Sequence, residues 1–177
     1  MIHNERGVVL FIALVFLLVL TIAGVSSVQT TSLEERMARN THDSVLAFQA
    51  AESALREAEA FVRNNVSSTA PFTPAGNNGL WSAAAYTDQD RWLVANVWND
   101  GSSLSRQTNS SLALVAAQPR YIVEWVATVE RETNANLIDS SYNAVSDRVE
   151  IFRITARGVG GTTNASVLLQ STFGKFF

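Results

Sequence analysis

From Val8 to Leu33 the chain carries no charged side chain. Coiled as an α-helix at roughly 1.5 Å per residue, that stretch would reach about 39 Å, enough to cross a bilayer core of about 30 Å. A chain with such a segment is a membrane protein at some stage. The run is most apolar from Val8 to Val25, follows a short polar leader ending in Arg6-Gly7, and leads through Thr30, Thr31 and Ser32 into a charged helical pattern from Glu34. The apolar segment therefore reads as the first half of a longer helix.

Three arrangements fit such an amino terminus. A secretory signal would be cut after its apolar core, but the exit Gly24-Val25-Ser26-Ser27 lacks a clean Ala-x-Ala site. A single-pass anchor would keep everything, with Arg6 favouring a cytoplasmic amino terminus, a weak signal against the nearby Glu5. A cut after Gly7 would instead remove the leader and retain the apolar helix, with Val8 as the new amino terminus.

Beyond the apolar run, Leu33, Met37, Ser44, Phe48, Ala51, Leu55, Ala58 and Val62 mostly recur at three- and four-residue spacing, with a longer gap across Asn40 and Thr41. This marks an apolar stripe on a helix running to about Asn64. Glu35 with Arg39 and Glu52 with Arg56 are i,i+4 pairs on the solvated side. Ser32 with Glu35 has the form of a capping box that would start a separate helix. A continuous helix with a soft spot between Gly24 and Ser32 is the preferred reading.

The helix should stop in Asn64-Asn65-Val66-Ser67-Ser68-Thr69, since Pro71 and Pro74 oppose its resumption. From there to Pro119 the pattern is irregular, with Trp81, Trp92 and Trp98 and turns at Asn77-Asn78-Gly79 and Asn99-Asp100-Gly101. The tryptophans either fill a small core belonging to this loop or stand exposed as adhesive or subunit contacts. Strands begin at Tyr121: Tyr121, Val123, Trp125, Ala127 and Val129 alternate with Ile122, Glu124, Val126, Thr128 and Glu130. Val149 to Ala156, with Phe152, Ile154 and Ala156 on its buried face, and Val167 to Phe173 read as a hairpin joined by a flexible turn from Gly158 to Asn164. The polar stretch Thr133 to Asp147 reads as an exposed loop.

The predicted fold class is α+β: a long N-terminal helix, its first half transmembrane, packed against a small antiparallel sheet of three or four strands. The divisions are 1–7, a leader; 8–32, the hydrophobic half-helix; 33–64, the amphipathic half-helix; 65–120, a variable loop region; and 121–177, the sheet. Helix–sheet packing is assigned to Met37, Phe48, Leu55, Val62, Trp125 and Ile154. With 177 residues, about 110 remain for the globular part, the size of one domain. The chain has no cysteine, hence no disulfide framework and no cysteine-based zinc site. It must hold its tail by sheet pairing.

Nothing in the pattern suggests catalysis, a cofactor or a metal. His3 lies in the leader, and His42 would sit on the charged face of the helix. Asp88-Gln89-Asp90 lacks the glycine and closing glutamate of a calcium loop, and Gly158-x-Gly160-Gly161 precedes a strand rather than the helix of a dinucleotide site. A formal net charge of −3, with no basic run, gives no footprint for nucleic acid.

Three blocks carry a resemblance. They are Thr30-Thr31-Ser32-Leu33-Glu34-Glu35-Arg36-Met37-Ala38-Arg39-Asn40, then Ala47-Phe48-Gln49-Ala50-Ala51-Glu52-Ser53-Ala54-Leu55-Arg56, and at the tail Phe152-Arg153-Ile154-Thr155-Ala156-Arg157-Gly158-Val159-Gly160-Gly161 with Val167-Leu168-Leu169-Gln170-Ser171-Thr172-Phe173. With the Gly7-Val8 junction they resemble the PilX family of type IV pilus minor pilins. The resemblance implies a pilin-like fold and cleavage after Gly7 by a prepilin peptidase, with N-methylation at Val8. Leu10, Phe11, Ile12, Leu14 and Phe16 would then lie in the filament core. It further implies a single pass through the bacterial inner membrane and its lipid, with the amino terminus cytoplasmic and the globular part periplasmic, followed by entry into the pilus.

The implied partners are other minor pilins, the major pilin and an inner-membrane assembly platform. The implied role is initiation of pilus assembly, with contributions to adhesion and twitching motility. Major pilins usually carry a glutamate where this chain has Ile12, a departure that suggests a subunit placed first, at or near the filament tip. Two alternatives stay open: a pseudopilin at the tip of a type II secretion pseudopilus, and a plain membrane-anchored binding module or enzyme.

Overall fold

The computed structural model describes residues 6–130 and 148–177. The expected loop Thr133 to Asp147 lies outside the described residues. The chain divides into two compact units, residues 1–42 and 43–177.

One α-helix, α1, runs from Arg6 to Asn65. The expected soft spot is helical throughout, and Ser32 lies within the helix, so the Ser32/Glu35 pair starts no new one. The Thr30 and Thr31 hydroxyls donate to the carbonyls of Ser26 and Ser27, each at 3.1 Å, and Thr21 donates to Leu18 at 2.8 Å. A hydroxyl satisfied by its own helix suits a segment that meets lipid, where no water is available to pair with it. The two i,i+4 pairs form as expected, Glu35–Arg39 at 2.5 Å and Glu52–Arg56 at 2.7 Å. Such exposed pairs contribute only about 0.3–0.5 kcal/mol each.

In the second unit the sheet consists of β1 (Leu80–Ser82), β2 (Arg106–Gln107), β3 (Arg120–Glu130), β4 (Arg148–Val159) and β5 (Ser166–Phe176). The spatial order is β1-β3-β4-β5, with β2 also pairing β3. The β3–β4 and β4–β5 ladders are antiparallel, as expected. The sheet is mixed rather than wholly antiparallel, because β1 runs parallel to β3 and is supplied by the region read as irregular loop. A three-residue strand is too short to show a period.

Strand β4 continues past Ala156 through Gly158 and Val159, which pair with Val167 and Ser166, so the turn begins only at Gly160. In β3 the register shifts between Trp125 and Ala127. A bulge of this kind moves every later side chain by one position. Ala127 and Val129 thus fall opposite Ile151 and Val149, and the stretch from Val126 to Glu130 is exposed.

The main core joins Ala54, Ala58 and Val62 of α1 to Val66, Phe72, Leu80, Tyr121, Val123, Phe152, Ile154 and Ala156, with Leu55, Phe61, Trp125 and Phe173 at its margin. A second cluster on the other face of β3 contains Trp81, Val97 and Ile122, edged by Trp92, Val94, Trp98 and Leu104. The tryptophans therefore pack together, but against a strand of the sheet rather than within a loop of their own. Two of their indole N–H groups donate to backbone carbonyls, Trp81 to Leu104 at 2.9 Å and Trp98 to Trp92 at 3.0 Å.

Candidate functional site

Among the described residues, the first half of α1 leaves its large apolar side chains exposed. Leu10, Phe11, Ile12, Leu14 and Phe16 are all exposed, as is Val8 at its start. The helix is long and apolar enough to cross a membrane, with a mean hydropathy of 3.2 over its most apolar 18-residue window and none of that window buried. Phe11, Ile12, Val15, Phe16 and Val19 line a shallow groove along one side of the helix. These positions recur at one-, three- and four-residue spacing and so share a face. Ile12 is therefore part of an apolar seam. A carboxylate there would cost about 2.5–3.5 kcal/mol at membrane depth unless a partner neutralised it. Gly7 lies in the first turn of the helix.

The globular unit is built differently. Ala47, Ala50, Ala51, Ala54, Ala58 and Val62 are buried to 1 % exposure or less. The reason is close approach of backbones. A Cβ placed on Gly158 would lie 2.2 Å from the Ala47 carbonyl oxygen and 2.3 Å from the Ala51 nitrogen. With β4 so near, only small side chains fit between helix and strand. This corrects the expected contact. Leu55, Val62, Trp125 and Ile154 belong to the helix–sheet core or its margin, but Phe48 is 47 % exposed and Met37, in the first unit, is 61 % exposed. Of the stripe read from the sequence, Ala51, Ala58 and Val62 are buried and Leu55 borders the core, while Met37 and Phe48 fall outside it.

Three polar devices lock the unit and were missed in the sequence. The Lys175 ammonium, on β5, donates to the carbonyls of Val62, Arg63 and Val66 at 2.9, 2.8 and 2.5 Å. These are carbonyls at and just past the last turn of α1, where the helix leaves acceptors without internal partners and its dipole favours a cation. The C-terminal strand is thus tied to the helix end by charge, in a chain that has no disulfide to do it.

The Arg120 side chain lies in a buried residue of β3 and donates to Ser105 Oγ at 2.8 Å and to the carbonyls of Ser102 and Ser105 at 2.6 and 2.8 Å, holding the loop before β2. Burial pushes its pKa below the ordinary arginine value, against the opposing field of Asp100. At the other end of the unit Asp43 accepts from the Thr162 N–H at 3.0 Å and from the Thr162 hydroxyl, fixing the β4–β5 turn to the helix. Gly160 makes room for this, since a Cβ there would lie 2.3 Å from Asp43 Oδ1.

His42 is exposed on the helix. Asp88 makes an ion pair with Arg91 at 3.7 Å. Among the described residues no group of three or more histidine, cysteine, aspartate or glutamate side chains is placed to hold a metal ion.

The chain thus combines an exposed apolar half-helix, long enough to cross a membrane, with a head built on a helix and an antiparallel hairpin. Comparison with known proteins identifies the family. A family model described as PilX N-terminal matches residues 6–56, and one described as type IV pilus assembly protein PilX C-term matches residues 38–175. No curated protein matches the chain, and no solved structure does. The two family matches span nearly the whole chain and overlap on α1, so the chain belongs to the PilX family of type IV pilus assembly proteins, as a minor pilin with an N-terminal apolar helix.

Proposed function

We propose that this minor pilin primes filament assembly and occupies a position at or near the pilus tip. The observation that carries the reading is Ile12, an aliphatic residue in an apolar seam where major pilins resemble one another in carrying glutamate. A membrane-depth carboxylate is worth its cost when it gains a cationic partner. In a growing filament that partner is the amine of the subunit added before. A subunit without the carboxylate needs no predecessor, yet its own amine at Val8, freed by cleavage after Gly7, still receives the glutamate of the subunit that follows.

The prepilin peptidase makes that amine in the inner membrane, where the apolar helix faces lipid with the globular unit on the periplasmic side. On assembly the same surface passes to the helices of other minor pilins and the major pilin. The apolar half-helix meets no water at either stage. Extraction from lipid requires work from the assembly machinery, since the chain has no nucleotide-binding motif of its own. Effects on adhesion and twitching motility follow from the number of pili initiated.

Ile12→Glu is the direct test. The substitution should lower the number of pili per cell and displace the protein from the tip, seen by immunogold labelling. Unchanged piliation with an unchanged tip position would refute the priming role.

A further inference from the structure

We propose that Leu114 is a rigid apolar knob by which the head docks into an uncharged socket on the head of a neighbouring pilin. The proposal rests on the chain's membership of the pilus assembly family and not on the tip position. Leu114 has a φ of 67°, in the left-handed region. For a leucine that backbone is a strained outlier, adopted at far lower cost by glycine or asparagine. Its side chain is 81 % exposed, more than any leucine of the apolar half-helix. Single exposed leucines are ordinary on protein surfaces. One that also sits on a strained backbone gains nothing from its own fold, and strain kept in this way marks places where a molecule meets something else.

The strain persists because the loop around it is pinned on both sides. The Gln118 side chain accepts from the Leu112 N–H at 2.9 Å and donates to the Leu112 carbonyl at 3.0 Å. The Ala116 N–H donates to the Gly160 carbonyl at 2.7 Å. At the start of the loop the Asn109 N–H and side-chain amide donate to Glu57 at 2.9 and 2.8 Å. Leu114 is therefore presented in one conformation, so docking loses little conformational freedom. From Gln107 to Pro119 the chain carries no charge. A partner meeting this loop has no ion to desolvate or neutralise.

The segment 131–147 does not reach this knob. It starts and ends at Glu130 and Arg148, which pair with each other at one end of the β3–β4 ladder. Leu114 lies beside Gly161, where an added Cβ would be 3.3 Å from the Leu114 carbonyl oxygen. From Arg148 to Gly161 the chain runs along β4 and past its end, roughly 40 Å at strand rise. A segment as long as 131–147 that returns to its own start extends about 30 Å at most. Leu114 thus stays open to another molecule.

A neighbouring pilin is the partner this chemistry fits. Lipid imposes no shape, so a rigid and strained presentation gains nothing there, whereas a protein socket rewards it. Burial of one leucine is a modest contact by itself, about tenfold to a hundredfold in affinity. It suffices between subunits that also associate through their apolar helices, because the second contact is then effectively intramolecular.

The test uses the full chain with the major pilin and the other minor pilins of its pilus, each full length, reconstituted pairwise in lipid vesicles. Association is read by energy transfer between labelled heads. Leu114→Asn removes the knob and suits the left-handed backbone. It should weaken one of these complexes about tenfold or more, with a melting temperature equal to or above that of the unaltered chain. Leu114→Met keeps an apolar side chain of similar volume and should retain the complex to within about threefold. Hydrogen exchange at Ala113, Leu114 and Val115, whose N–H groups make no hydrogen bond among the described residues, should slow only when that partner is present.

Unchanged association of Leu114→Asn in every pair overturns the proposal. So does a fall in its melting temperature, which would assign the side chain to the head's own packing. Protection in vesicles that hold no partner overturns it in favour of lipid, and protection that grows with the chain's own concentration overturns it in favour of self-association. These outcomes are read on complexes and exchange, whereas Ile12→Glu is read on pilus number and tip position, so either reading fails alone.

Discussion

Between Val8 and Val28 helix α1 carries bulky aliphatic and aromatic side chains on every side and buries none, whereas from Ala47 to Val62 it buries alanines and leaves Phe48 outside. The difference separates two ways of gaining from apolar surface. In the globular unit the partner is covalently present, so helix and strand approach until backbone meets backbone, and glycine facing alanine gives the tightest fit. In the first half no partner lies within the described residues, and under the proposed function it is first lipid and then other helices. Large apolar side chains would gain from burial in both.

The sharpest way to break this comparison is to add one methyl group in each region. Gly158→Ala should destabilise the globular unit by about 3 kcal/mol, the upper range for overpacking, because backbone atoms of Ala47 and Ala51 occupy the space and cannot yield as a side chain would. Gly24→Ala meets nothing within 4 Å. It should leave the thermal unfolding of the head unchanged and favour the helix locally by about 1 kcal/mol. Tryptophan fluorescence melts of the two variants in detergent decide the matter, and equal melting temperatures would break the distinction.

The next effect in size concerns how the tail is held. Lys175→Met keeps the length of the side chain but removes three hydrogen bonds to carbonyls around the helix end. A loss of about 2 kcal/mol is expected, in the range of charge-assisted bonds, measured by chemical denaturation. Loss of protection should be concentrated at β5 and the last turn of α1.

The smallest effect is a pH dependence. Burial, the largest influence, raises the Tyr121 pKa, with Arg106 partly opposing it. The folded state thus holds the phenolic proton more tightly than the unfolded chain. Its contribution is present in full below about pH 10, the unfolded value, and is lost as pH rises through the higher folded value. Tyr121→Phe should flatten the alkaline fall in stability, followed by melting temperature against pH; an unchanged slope would remove Tyr121 as its source.

Much of this architecture could be read from the residues alone, for physical reasons that differ by element. The long helix announced itself by an uncharged run, and β4 by the alternation of Phe152, Ile154 and Ala156, all three fully buried. Those signals are local. What was not legible depends on distance between elements. Phe48 looked like core because it is large, and only the proximity of Gly158 shows why the alanines beside it are the ones that pack. The bulge after Trp125 and the parallel β1 are likewise set by tertiary pairing. Lys175 gave no signal either, since a lysine near a C-terminus is ordinary until its three carbonyl partners are seen. On the apolar half-helix, Ile12 drew notice through the family resemblance, and its place in the Phe11–Val19 groove came from the structure.

The account stands most directly on where the mature chain begins. Intact mass and amino-terminal sequencing of the protein from its native membrane, with and without the prepilin peptidase, should give a start at Val8 bearing a methyl group only when the peptidase is present. An unprocessed Met1, or a start near Ser26, would contradict it, since the apolar helix would then carry no free amine at the membrane face or would be lost altogether.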